Sequence, residues 1–110
     1  GDLVLHDARA LHEFAQTKMT LTGQLRHSRR PGDQQVRNRL LQEAMAYLER
    51  VIQMDAPPTR HAWAWFNLGQ VRQWLKQPRQ DVIAAYQKAC DLAPDEDRFQ
   101  RALAQAGRGA

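Results

Sequence analysis

The chain has 110 residues, 43% of them hydrophobic and 25% charged, with 16 Lys and Arg against 12 Asp and Glu. That length and composition predict one domain that buries its own core, and disfavour collagen-like, coiled-coil and disordered classes. No apolar run approaches the ~18 residues of a membrane span and no signal-peptide pattern is present, so a soluble protein without a membrane partner is expected.

The chain begins Gly1-Asp2 without Met, which reads as a piece of a longer protein. A first helix is predicted over about 3–25. Its paired His6-Asp7 and His12-Glu13 invite a metal or acid–base reading. Histidines six apart miss a common helix face by about 120°, and neither an HExxH spacing nor a third ligand is present, so these are expected to be surface polar residues.

The basic stretch Arg26-His27-Ser28-Arg29-Arg30-Pro31-Gly32-Asp33 then breaks the pattern with a Pro-Gly turn signal. Residues 26–39 carry Arg26, Arg29, Arg30, Arg37 and Arg39 against Asp33 alone, which accounts for the whole net charge of +4. A local cluster of this kind suits phosphates or an acidic partner, while the plain alternative is a solvated arginine loop.

A second helix is predicted over 35–55, where Val36, Leu40, Leu41, Ala44, Leu48, Val51 and Ile52 fall at three-and-four spacing. Ala56-Pro57-Pro58-Thr59 stops it, with Thr59 placed to cap a third helix over 60–76. Lys76-Gln77-Pro78 interrupts again, and Pro78 suits the first turn of a fourth helix over 79–93. Cys90, the lone cysteine, lies on that helix's apolar face and reads as a small core residue; a single thiol excludes an intrachain disulfide and leans towards a reducing, cytoplasmic setting. After Ala93-Pro94-Asp95 a short last helix covers 95–106. No alternating stretch competes as a strand, so the expected class is all-α, arranged as helical hairpins.

Shifting the second helix by 38 residues onto the fourth pairs Ala44 with Val82, Met45 with Ile83, Leu48 with Tyr86, Val51 with Ala89 and Ile52 with Cys90. Leu11-x2-Phe14-Ala15 similarly parallels Trp65-x2-Leu68-Gly69. Phe14 to Ala44 spans 30 residues and Leu68 to Val82 spans 14, so the first hairpin carries 16 more, around the basic stretch.

Trp65-x2-Leu68-Gly69 and Tyr86-x2-Ala89-x4-Pro94 resemble the tetratricopeptide repeat, whose signature runs W-x2-L-G-x2-Y, then A-x3-F-x2-A-x4-P. Arg72 and Val82 depart from it, and the unit is one residue too long between Gly69 and Pro94. The resemblance implies an α-α superhelix: an irregular first hairpin over 3–55 with a basic loop at 26–39, a second over 60–94, and a capping helix over 95–106. It also implies that Gly69 and Ala89 are the small residues at a close helix crossing, with Trp65 and Tyr86 filling the gaps around them.

On the third helix Ala64, Trp65, Leu68, Val71, Arg72 and Leu75 share one side; Trp63, Phe66, Asn67, Gln70, Gln73 and Trp74 share the other. Resemblance implies that the second side can line a peptide-binding groove, with Trp63, Phe66, Gln70, Gln73 and Trp74 as contacts. The alternative is that Trp63 and Trp74 simply pack on a neighbouring helix. A carboxylate clamp, used by some relatives to grip chaperone tails, is disfavoured: Asn67 and Arg98 match two clamp positions, but His12 and Gln16 stand where Lys and Asn are wanted. Arg72 on the packing side is expected to reach solvent or to pair with Asp81 or Glu43.

The expected function is a non-enzymatic scaffold module binding a protein or peptide partner. No phosphate loop, nucleophile elbow or Cys/His dyad can be assembled, and no metal or cofactor is expected. The alternative is binding of nucleic acid or an acidic partner through residues 26–39, although no aromatic is interleaved there for base stacking. Homo-oligomer formation is also open, because a short stack exposes its ends.

Overall fold

A computed structural model describes residues 7–108, which form five α-helices and no strand. They are α1 (Ala8–Gln24), α2 (Asp33–Gln53), α3 (Pro58–Trp74), α4 (Arg79–Leu92) and α5 (Asp97–Arg108). Four starts differ from expectation for local reasons. The Asp7 carboxylate accepts from the backbone N–H groups of Arg9 and Ala10, so α1 begins at Ala8 and not at residue 3; residues 3–6 of the expected helix lie outside the described residues. α2 begins at Asp33 after Gly32, whose φ of +89° is costly for any other residue. Thr59 is no cap: Pro57 occupies the cap position and Pro58 the first helical one, where a fixed φ and a missing N–H cost nothing. α5 is displaced two residues, its first turn resting on the Glu96 carbonyl.

Sequential helices pair as antiparallel neighbours. Lys18 meets Glu43 and Phe14 meets Tyr47 across α1 and α2. Gly69 meets Tyr86 across α3 and α4, and Arg79 on α4 donates to the Ala106 carbonyl of α5. Alternate helices run the same way: His12 of α1 bonds Asn67 of α3, and Trp63 and Phe66 of α3 pack on Phe99 of α5. The molecule is a slab of 43 × 41 × 20 Å, two helix diameters thick.

The core falls into clusters on the two sides of α3. Leu11, Ala15, Leu41, Ala44, Leu48, Val51, Ala64, Leu68 and Val71 form one buried cluster among α1, α2 and α3. Ala62, Ala89, Cys90 and Phe99 form a second among α3, α4 and α5, joined by Val82, Tyr86 and Ala106. Trp65 borders both of the larger clusters. Gly69 leaves room for the Tyr86 ring: a Cβ there would lie 2.5 Å from Tyr86 Cε1. Arg72 meets its burial requirement through the Asp81 carbonyl, 3.0 Å from Nη1, and not through a carboxylate.

The α3–α4 turn closes with paired backbone bonds, Lys76 N–H to Gln73 O at 3.0 Å and Gln77 N–H to Arg72 O at 2.9 Å. That geometry places the residue after the helix cap in the left-handed region, usually as glycine. Here it is Lys76, at φ 59°.

Candidate functional site

The outward side of α3 divides into three environments. Trp63 and Phe66 face α5, with ring centroids 4.7 and 4.9 Å from Phe99, and the Arg98 guanidinium lies 4.7 Å over the Trp63 ring. Both rings are half-buried by this packing. Asn67 is buried against α1. Gln70, Gln73 and Trp74 remain towards the surface, and Trp74 keeps 42% of its surface in water.

Asn67 belongs to a chain of hydrogen bonds that sequence reasoning missed. Arg60 Nη1 lies 3.1 Å from His12 Nδ1, and His12 Nε2 lies 2.8 Å from Asn67 Oδ1. A guanidinium only donates, so Nδ1 must accept and Nε2 must carry the proton given to Asn67. Asn67 Nδ2 in turn donates to Gln70 Oε1 at 2.9 Å. His12 is therefore no surface residue: it is 1% exposed, and burial lowers its pKa below the usual 6.5, a direction the Arg60 charge reinforces and the Asn67 bond opposes. The available signal was its place three residues before Ala15 and seven before Met19, on the buried stripe of α1. His6 lies outside the described residues.

Phe66, Gln70, Gln73 and Trp74 line a cavity of about 340 Å³ closed on its far side by Arg98, Arg101 and Gln105 of α5. Gln73 Oε1 accepts from the Tyr86 hydroxyl at 3.0 Å, and burial pushes that phenol up to about 12. Both glutamines thus have their oxygens engaged by the fold, which turns their NH2 groups into the groups available to a visitor. Opposite stand Arg101 and Arg98, the latter already donating through Nε to Glu96 Oε1 at 2.8 Å, and the wall is rich in donors that suit a ligand rich in acceptors.

The five arginines of residues 26–39 do not act as one patch. Arg26, Arg29 and Arg30 are exposed on the connection between α1 and α2, where the Ser28 hydroxyl binds the Asp33 carboxylate. Arg39 turns to Glu43 at 3.8 Å. Lys18 bonds the same carboxylate at 2.8 Å and, more than Arg39, lowers its pKa. Arg37 is half-buried. Arg26 and Arg37 join Thr22, Gln73, Trp74 and Lys76 around a second cavity of about 410 Å³. Gln73 and Trp74 belong to both cavities, so part of the expected groove and part of the expected basic stretch meet in space.

Among the described residues no three His, Cys, Asp or Glu side chains converge as metal ligands would. Burial, with Asp91 adding to it, pushes the Cys90 thiol up, away from the thiolate a nucleophile needs. No described helix is long and apolar enough to cross a membrane. Comparison with protein-family models, with curated proteins and with solved structures finds no match to this chain.

Proposed function

We propose that the chain is a non-enzymatic interaction module, two hairpins of tetratricopeptide type closed by a terminal helix, which holds an acidic peptide segment of a protein partner along α3 and α5. The repeat reading is supported by the 38-residue correspondence of the buried faces of α2 and α4, by the Gly69–Tyr86 crossing, and by the common direction of α1, α3 and α5. The observation that carries the functional reading is the orientation of Gln70 and Gln73. Their oxygens are held by Asn67 and Tyr86, their NH2 groups are left beside the half-exposed Trp74, and two arginines stand opposite. Fixed donors next to a rigid aromatic bind extended backbone and carboxylates at low entropic cost.

Selection from a random peptide library tests it. Enriched peptides should carry Asp or Glu beside an apolar residue, and should lose most of their affinity for the Gln70→Ala and Trp74→Ala variants while far-UV circular dichroism stays unchanged. Enrichment of nothing, or of peptides that bind those variants as well as the parent, overturns the reading. One observation favours the nucleic-acid alternative: Arg26, Arg29 and Arg30 meet no carboxylate among the described residues. It requires oligonucleotide affinity that falls steeply with salt and disappears when these arginines are neutralised.

A further inference from the structure

We propose that the cavity lined by Thr22, Arg26, Arg37, Gln73, Trp74 and Lys76 binds a phosphate monoester, with the phosphate among the three cations and its organic group against the Trp74 ring. The site is distinct from the α3–α5 groove, although the two share Gln73 and Trp74: it lies where α1 and α3 end and α2 begins, and Arg26, Arg37 and Lys76 line it and not the groove.

Charge is the first argument. No Asp or Glu lines this cavity, while Arg26, Arg37 and Lys76 all do. The ends of α1 and α3 each contribute about −0.5 of a charge and the start of α2 about +0.5, so the three cations leave a surplus of roughly +2.5. A phosphate monoester carries about −1.5 to −2 at neutral pH and balances most of that surplus, where a single carboxylate balances less than half of it.

The second argument is that two of the cations are held at a cost. Arg37 Nε is shut off from water and has no acceptor among the described residues. A guanidinium in that state is under-solvated, and an anion at its outer nitrogens compensates it. Lys76 occupies a left-handed position, φ 59°, in a helix-ending turn that glycine would close without strain. Residues held in sparsely populated backbone regions cluster at functional sites.

Size and shape give the third. About 410 Å³ falls within the ~300–1,000 Å³ typical of small-ligand sites. Trp74, 42% exposed, offers a flat apolar wall beside the charges, so an ester with an aromatic or apolar group gains contact that inorganic phosphate lacks.

The test is titration of the full chain at constant ionic strength, followed by the indole N–H resonances, with Trp74 assigned by Trp74→Phe. The probes are inorganic phosphate, phenyl phosphate and a capped tripeptide containing phosphotyrosine. A saturable shift centred on Trp74, with phenyl phosphate tighter than inorganic phosphate, is expected. Arg26→Gln and Arg37→Gln should each weaken binding roughly tenfold or more, the scale of one lost charge-assisted hydrogen bond. Arg29→Gln with Arg30→Gln should leave it within about twofold, because those side chains do not line the cavity. Lys76→Gly is the decisive variant: it should raise thermal stability while weakening phosphate, which no loss of fold can mimic. Gln70→Ala, confined to the other cavity, should leave phosphate binding intact even where it abolishes peptide binding, so the two proposals fail separately. A much tighter tripeptide points to a phosphorylated segment of a partner; equal affinity points to a free organic phosphate. The proposal is overturned by no saturable shift, by the same response to chloride, or by equal weakening in the Arg29/Arg30 pair.

Discussion

Replacing Gly69 by Ala tests the packing that holds the second hairpin together. In an open helix interior the exchange stabilises by up to ~1 kcal/mol, because Ala loses less backbone entropy on folding. At Gly69 the new Cβ would stand 2.5 and 2.7 Å from Tyr86 Cε1 and Cδ1. Carbon atoms rest at ~3.5–4.0 Å, so the ring must retreat by about 1 Å. Tyr86 is 3% exposed, lies 5.8 Å from the Phe66 ring, and holds Gln73 through its hydroxyl. Overpacking of this kind costs ~1–3 kcal/mol, and the strained hydroxyl bond adds about 1. Set against the propensity gain, Gly69→Ala should destabilise by roughly 1–3 kcal/mol and lower the melting temperature by about 4 °C for each kcal/mol. Gly23→Ala is the internal control, because nothing lies within 4 Å of that Cβ; it should be neutral or stabilising. Urea denaturation of both variants, and of Gly69→Ala combined with Tyr86→Leu, reads out the difference, and the double variant should recover part of the loss. A Gly69→Ala protein as stable as Gly23→Ala would refute the crossing as described.

His12 predicts an acid limb. Its pKa is lowered by folding, so below about 6.5 the unfolded chain takes up a proton more readily than the folded chain; stability is complete above that pH and falls as pH drops, with one proton, about 1.4 kcal/mol per pH unit, as the ceiling on the slope. Denaturation midpoints between pH 7 and 5 should show that loss in the parent and a flatter profile in His12→Gln; identical profiles would remove His12 from the core network. At the alkaline end Tyr86, pushed up to about 12, should resist ionisation in ultraviolet titration, and its contribution should fade as pH rises from 10 towards 12. Phe99→Ala, removing a fully buried ring that meets Trp63 and Phe66, should cost ~3–5 kcal/mol and raise hydrogen exchange in α5 before the rest; uniform exchange would mean that α5 is not a separate cooperative piece.

What could be read from the sequence was what rests on local spacing. The buried faces of α2 and α4 appear in it as Ala44, Leu48 and Val51 against Val82, Tyr86 and Ala89, because a helix repeats its inward side every three or four residues. Gly69 was legible only through the resemblance of Trp65-x2-Leu68-Gly69 to a known repeat signature, not through periodicity. His12 was not. Its partners Asn67 and Arg60 stand 55 and 48 residues away, and a histidine beside a glutamate carries no local sign that a distant amide will bury it. The helix starts failed where two chemistries compete for one position: Thr59 is a good cap, but Pro57-Pro58 before it already supplies a fixed φ and needs no capped N–H at the first helical residue.

The same distinction explains why the groove residues and the arginines looked unrelated. Gln73 and Trp74 belong to the last turn of α3, Arg26 follows α1 and Arg37 lies in the second turn of α2; only the parallel course of α1 and α3 brings these ends together. Sequence spacing sorts residues around one helix and is silent on which helices finish side by side. At this junction Gln73 and Trp74 face one cavity rich in amide donors and another rich in cations. The Tyr86 bond fixes Gln73 between them, so removing the hydroxyl with Tyr86→Phe should loosen Gln73 and weaken peptide binding in the first cavity. Phosphate in the second, which depends on Arg26, Arg37 and Lys76, should be almost unaffected. Equal loss at both would mean that the two cavities are one site.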